Sequence, residues 1–279
     1  MKKIFISLLA LTILFSSCKK AEEVVDDIQK DKTMANDNHM AEDEADDLSV
    51  ISDEAYSYGE LKSRGGSGGS GIMGDTVKII RSKTDSTITI DFGTNGIVGK
   101  NGKIRKGKII IKFSGGYKVI GSAISQSFDN YYVNGRKIEG TRSITYKGDT
   151  SGMPKWTIQS DLTITKTDGK KVTWSSTRIR IMTAGSSTPL NWYDDEYTVT
   201  GSANGTTSNG DTYTMTIGKP LFFKMSFAPP TVCKFIIDGT LTYTRGSRTA
   251  SLDYGYGGIT SCDNQAELNY NGTKSVITL

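Results

Sequence analysis

Val133-Asn134-Gly135-Arg136 is the stretch that decides the fold class. Asn-Gly suits the two central positions of a type I′ turn, where both residues need positive φ, and such a turn joins two antiparallel strands. Turn dipeptides of the same kind recur as Asn101-Gly102, Asp168-Gly169, Asn204-Gly205, Asp238-Gly239 and Asn271-Gly272. Counted from 101, the steps are 33, 34, 36, 34 and 33 residues. Near-regular spacing of this sort predicts a reiterated strand–turn–strand unit.

The segments between these turns alternate with period two. Trp156, Ile158, Ser160, Leu162 and Ile164 interleave with Thr157, Gln159, Asp161, Thr163 and Thr165. Ile88-Ile90-Phe92, Tyr213-Met215-Ile217 and Ala266-Leu268-Tyr270 follow the same rule. One apolar face and one Thr-rich wet face is the pattern of half-buried antiparallel strands. Between Val172 and Met182 the apolar parity shifts, which predicts a bulge near Ser175-Ser176. Pro154, Pro189, Pro220, Pro229 and Pro230 mark connections, because proline cannot donate to a ladder. Residues 75–279 therefore read as a mainly β domain, an antiparallel up-and-down meander of some ten to thirteen strands. The meander forms a large curved sheet, a flattened barrel or a sandwich. More than about eight strands leave space inside a closed barrel, so something must fill or cover the apolar face. Charged residues such as Lys112, Asp161 and Arg178 within the strands argue against a transmembrane barrel.

At the other end of the chain, Met1-Lys2-Lys3 is a positive n-region and Ile4 to Phe15 an apolar h-region. This reads as a signal peptide over 1–17, shorter than an ordinary membrane span. Leu14-Phe15-Ser16-Ser17-Cys18 resembles the lipobox of bacterial lipoproteins, with Phe15 where that family usually carries an aliphatic residue. The resemblance implies cleavage before Cys18, a diacylglycerol thioether on its sulfur and an acyl chain (palmitate or its like) on the new amine. Lys19 follows instead of Asp, so the inner-membrane retention signal is missing. Lys19-Lys20-Ala21-Glu22-Glu23 looks like the short charged signals that send some lipoproteins to the cell surface. The implied location is the outer membrane, lipid-anchored, facing either the periplasm or the outside.

Residues 19–60 hold fourteen Asp/Glu against four Lys/Arg, whereas residues 61–279 hold sixteen against twenty-eight. An acidic leader thus precedes a basic body. Within the 18–74 leader, Met34, Ala41, Ala45, Leu48, Ser52, Ala55 and Gly59 follow helical spacing, with Thr33 as a cap. That predicts one N-terminal helix over 34–58, able to dock on the basic body. Gly- and Ser-rich residues 64–71 read as a linker.

Setting Cys18 aside leaves Cys233 and Cys262, expected as a disulfide in an exported chain, the alternative being two separately buried thiols. Two such cysteines without a nearby His lack the ligands for zinc, and no cofactor is expected. The only histidine, His39, lies in the leader. Ser-His-Asp and Cys-His catalysis are therefore excluded from the β domain.

Trp192-Tyr193-Asp194-Asp195-Glu196 is the densest acidic cluster of the β domain and its candidate ligand contact, for a sugar or Ca²⁺; the alternative is a solvated loop. Tyr131-Tyr132 and Tyr254-Gly255-Tyr256 read first as packing pairs. Asp263-Asn264 reads as a turn. Lys100, Lys103, Arg105, Lys106, Lys108, Arg136, Lys137 and Arg142 cluster around two turns. As a strip they would attract lipid phosphates or an anionic envelope polymer or glycan, with nucleic acid least favoured, unless the acidic leader neutralises them.

The expectation is a membrane-anchored envelope lipoprotein with a non-catalytic binding or structural β domain. The alternatives are a carrier of a lipid or other amphiphile on the apolar sheet face, and a carbohydrate-active enzyme using paired carboxylates.

Overall fold

The computed structural model describes residues 12–63, 72–116, 118–188, 191–228, 231–233, 236–258 and 261–279. Most of the signal peptide, the 64–71 linker and Pro189, Pro229 and Pro230 lie outside the described residues. The chain is mainly β, with one N-terminal helix, α1 (Thr12–Ser63). Strands follow as β1 (Lys78–Ser82), β2 (Thr87–Asp91), β3 (Ile97–Val98), β4 (Ile104–Phe113), β5 (Ala123–Val133) and β6 (Arg136–Thr150). The central strands are β7 (Met153–Thr165), β8 (Lys171–Ala184), β9 (Glu196–Thr206) and β10 (Thr212–Ile217). Next come β11 (Leu221–Lys224), β12 (Ser226–Ala228) and β13 (Thr231–Val232), and last β14 (Thr240–Arg245), β15 (Arg248–Asp253), β16 (Gln265–Tyr270) and β17 (Thr273–Thr278).

Fifteen strands form one antiparallel sheet, in the order β1-β2-β4-β5-β6-β7-β8-β9-β10-β14-β15-β16-β17, with β3 on β4 and β11 on β9. The sheet is a curved meander that does not close into a barrel. The hairpin at Asn134-Gly135 forms as expected, with φ of 49° and 81° and Val133 paired to Arg136. Asn271-Gly272 repeats it, at 48° and 81°. Two expected turns are strand residues or bridges instead. Asn204-Gly205 lies inside β9, opposite Ser175 and Trp174. Asp238 bridges to Phe222. The turn after β9 runs through Asn209-Gly210, so the regular spacing holds only for part of the chain. Pro154 also departs from expectation. It sits near the start of β7, opposite Asp149, where the neighbouring ladder is already irregular.

Each strand of the central sheet sends alternate side chains toward α1. In β7 these are Trp156, Ile158, Ser160, Leu162 and Ile164, all buried. In β8 they are Val172, Trp174, Ser176, Arg178, Arg180 and Met182, and the β7–β8 register is unbroken from Lys155↔Ile181 to Thr165↔Lys171. No bulge occurs at Ser175-Ser176. The inward parity never changes; arginines replace apolar residues on it, and Ile179 and Ile181 face outward. Two strand glycines stand where the neighbouring strand comes too close for a side chain. Gly140 (φ 116°) and Gly201 (φ 131°) would each place a Cβ within about 2 Å of a neighbouring-strand carbonyl, at 2.0 Å from Asp161 and 2.1 Å from Thr177.

The helix is longer than the predicted 34–58 span and is enclosed by the sheet. Asp47, Leu48, Ser49, Val50, Ile51 and Ser52 are all buried, as are Asp37, Asn38 and His39. Successive helical residues point about 100° apart. Six buried in a row can only be covered from every side. The inner face therefore closes over α1 as a core: Met34, Ala41, Leu48, Ile51 and Ala55 pack with Ile90, Ile109, Tyr131, Ile164, Trp174 and Tyr243.

The sheet also climbs along the helix. At one end of the strands, Arg245 and Arg248 meet Asp27 and Asp31, Lys166 meets Asp37, and Arg136 meets Glu44. At the other end, Tyr254 meets His39, Arg180 meets Asp53 and Arg81 reaches the carbonyls of Ala55 and Tyr56. Both series advance by some sixteen residues, roughly 24 Å of helix rise. The first and last strands therefore sit at different heights on α1.

The expected disulfide is present: Cys233 and Cys262 are bonded, with Cα atoms 5.7 Å apart and a sequence separation of 29. It ties the long β10–β14 connection to the loop before β16. Replacing both cysteines by serine is expected to lower unfolding free energy by about 3.6 kcal/mol, the chain-entropy contribution for a loop of this size. Chemical denaturation of the oxidised chain against the double variant measures it.

Candidate functional site

Two features concentrate chemistry: the charged seam between α1 and the sheet, and a cavity where that seam is open. Asp47 lies at the centre of the first. Its carboxylate takes two hydrogen bonds from Arg105 Nη2, at 2.6 and 2.7 Å, another from Nε at 3.2 Å and one from Asn101 Nδ2 at 2.9 Å. Arg105 is fully buried. Burial pushes the Asp47 carboxyl up, but the charges of Arg105 and Lys103 outweigh it and hold the group below the usual carboxylate range. Lys103 sits among Asp43 (2.9 Å), Glu44 (3.7 Å) and Asp47 (3.7 Å). Farther along, Arg178 pairs with Glu42, and Arg180 pairs with Asp53 (3.2 Å) while stacking 3.5 Å over the Tyr197 ring. Among the described residues, Arg142 has only neutral hydrogen-bond partners, Gln126 Oε1, Ser49 Oγ and Ser160 Oγ, and burial pushes its guanidinium down to about 9.

The polar core has a neutral centre as well. Asn38 Oδ1 accepts from Trp174 Nε1 at 3.1 Å and from Tyr213 Oη at 3.3 Å. His39 lies 3.2 Å from Tyr254 Oη, and burial holds its imidazole down at about 4, so it is neutral at physiological pH.

The expected basic strip is divided between the two faces of the sheet. Lys103, Arg105, Arg136 and Arg142 turn inward to α1. Lys100, Lys106, Lys108 and Lys137 stay on the surface beside Asp75, the Tyr132 ring, Asp129 and Glu139. The acidic cluster is likewise dispersed. Trp192–Asp194 form a 3-10 turn, whose Trp192 side chain lies outside the described residues. Tyr193 is half-buried. Asp194 accepts from Thr188 Oγ1 at 2.8 Å, and Glu196 pairs with Lys224 at 2.8 Å. Asp195 turns inward and accepts from Tyr197 Oη at 2.8 Å. Burial pushes its carboxyl up to about 7. The three acids thus serve three different contacts. Asp263 caps its own turn, accepting from Ser261 Oγ and Gln265 N, as expected. Tyr131 packs against Phe92 and Phe128.

The cavity, about 490 Å³, opens on the helix strip left uncovered by the climbing sheet. Asn36, Met40 and Asp43 form its floor at three- and four-residue steps; Lys103, Arg136 and Lys166 come from neighbouring turns. No sequence signal pointed to it, because it arises from the offset between the first and last strands. The buried arginines were legible in principle: Arg142, Arg178 and Arg180 share the parity of Ile144, Trp174 and Met182.

Removing one partner of a buried pair leaves an uncompensated charge. Asp47→Ala is therefore expected to cost about 3–5 kcal/mol, whereas Lys137→Ala, at the solvent-exposed pair with Glu139, is expected to change stability little; urea unfolding compares them. Asp195 supplies a pH signature. Its folded value of about 7 lies above the ordinary ~3.9, so the folded chain binds the proton more tightly. Its contribution to stability is present below about pH 4 and lost as pH rises to about 7. Asp195→Asn should raise Tm relative to the parent at pH 8, and the difference should shrink toward pH 4. No protein-family model, no curated protein and no solved structure matches this chain.

Proposed function

We propose that the chain is a membrane-anchored lipoprotein of the bacterial outer membrane whose β domain is a non-catalytic binding or structural module. The observation that supports this most directly is the continuity of α1. The helix runs unbroken from Thr12 to Ser63, so Cys18 stands on the same rod that the sheet encloses. Thirteen residues, about 20 Å of rise, separate Cys18 from Asp31, the first buried carboxylate among the described residues. An acyl anchor on Cys18 would hold the domain at a set height on a stiff joint, where a coil would leave it free to wander. Several acyl chains on one residue give durable attachment.

The two other readings require more. A lipid carrier would use the apolar inner face, and α1 occupies that face, so the helix would have to leave with its buried carboxylates. A glycosidase would need two carboxylates across one cleft, about 5–10 Å apart. Asp194, Asp195 and Glu196 are each committed to a separate partner.

The test is metabolic labelling with an alkyne fatty acid, followed by membrane fractionation. The parent chain is expected to carry label and to sediment with the outer membrane. Cys18→Ala is expected to lose both. Label that persists in the variant, or its absence from the parent, would overturn the anchor.

A further inference from the structure

The open seam has the composition of a ligand site. At about 490 Å³ the cavity falls within the ~300–1,000 Å³ typical of small-molecule sites. Two cations dominate one wall. The β6–β7 ladder pairs Lys137 with Thr165, which puts Arg136 and Lys166 opposite each other one step beyond it, on the inward parity. Like charges placed opposite one another repel. Each is steadied by a different helix carboxylate, Arg136 by Glu44 at 2.5 Å and Lys166 by Asp37 at 3.0 Å.

Neither cation is saturated. A guanidinium carries five N–H donors and an ammonium three. Arg136 Nε is buried and has no hydrogen-bond partner among the described residues. Lys166 donates to Asp37 alone among the described residues, and its side chain is 32% exposed. Asp37, by contrast, is fully engaged, since its second oxygen accepts from Ser208 N at 2.7 Å. The floor and rim are more mixed: Asn36, Asn134 and Asp43 line them, with Met40 as an apolar patch and Lys103 already held by Asp43, Glu44 and Asp47. Asp43 gives one oxygen to Lys103 at 2.9 Å.

We propose that this cavity is a saccharide-binding site, in which the carboxylate of an acidic sugar lies between Arg136 and Lys166 while its hydroxyls meet Asn36, Asn134 and Asp43. The planar guanidinium fork matches a carboxylate, and charge-assisted bonds of this kind are the stronger ones. Carboxamide and carboxylate walls call for a hydroxylated ligand body, because an apolar one would strip them of water without replacing it. The inference rests on the binding reading of the anchored domain. In that setting Asn36 to Asp43 lie 18 to 25 residues beyond Cys18, roughly 27–38 Å along the helix. That separation keeps the cavity clear of the anchoring bilayer's own headgroups and leaves a solute or polymer end as the source of the anion.

The experiment is isothermal calorimetry on the full mature chain in detergent, with glucuronate, glucose and inorganic phosphate as probes. Glucuronate should bind, and glucose and phosphate should each bind at least about tenfold more weakly. Lys166→Met should weaken glucuronate by about tenfold or more in a chain that still unfolds in one cooperative transition, and Lys137→Ala, which points outward, should leave glucuronate binding unchanged. Absence of glucuronate binding, or equal binding by Lys166→Met, overturns the site. Phosphate binding as tightly as glucuronate overturns its saccharide character. These outcomes are separate from fatty-acid labelling at Cys18, which can succeed or fail independently.

Discussion

Burying a helix that carries ten Asp and Glu residues between positions 27 and 54 is the constraint on which the rest of this structure depends. A carboxylate removed from water costs several kcal/mol unless a cation and further hydrogen bonds compensate it. The sheet meets that demand from its inner face, with Arg105 and Lys103 on Asp47, Arg178 on Glu42, Arg180 on Asp53 and Arg245 with Arg248 on Asp27 and Asp31. The dependence runs both ways. Without α1, a face lined by arginines would have neither apolar packing nor counter-charge. Helix and sheet are therefore one folding unit, and their mutual fit also fixes the register, since each cation reaches its own carboxylate at one height on the helix.

Strand number and climb explain why the sheet stays open. Thirteen strands lie on the main path, every neighbour antiparallel, so β1 and β17 run in the same direction. Closing the sheet would need a parallel pair between two strands that also meet α1 at different heights. A closed barrel fixes its shear to bring the first and last strands into register; here α1 sets the pitch instead. The helix supplies the filling that a wide barrel would otherwise lack. The exposed strip of α1 and the cavity beside it are the direct result.

An acyl anchor at Cys18, as proposed, would be joined to the domain in one element. The rod that would carry the acyl chains is the same one that organises the core, so on that proposal force or displacement at the membrane would pass to the sheet through packed side chains and ion pairs. Neutral His39 and the high Asp195 carboxyl belong to the same buried polar system and respond to pH in opposite senses.

Local chemistry wrote much of this into the sequence. Asn134-Gly135 and Asn271-Gly272 demanded positive φ and received it; period-two alternation marked Trp156 to Ile164 as one inward face; 3.6-residue spacing marked Met34 to Ala55 as a helix. These signals rest on φ/ψ sterics and on side-chain direction within a single element, which a linear pattern reports faithfully. Failures came where an element's surroundings were not what its pattern assumes. Inward Arg178 and Arg180 read as a shift of parity because the rule takes a buried face to be apolar, and here the burying partner is acidic. Asn204-Gly205 read as a turn because the dipeptide permits one, whereas strand pairing on both sides kept it extended. The Asp194-Asp195-Glu196 cluster looked like one site until the fold sent its members to three partners. Sequence alone determined the strands, the helix and the charge on each. Which charges meet, and where the climbing sheet leaves the helix bare, was decided only in three dimensions, because both depend on the heights at which separate strands grip one rod.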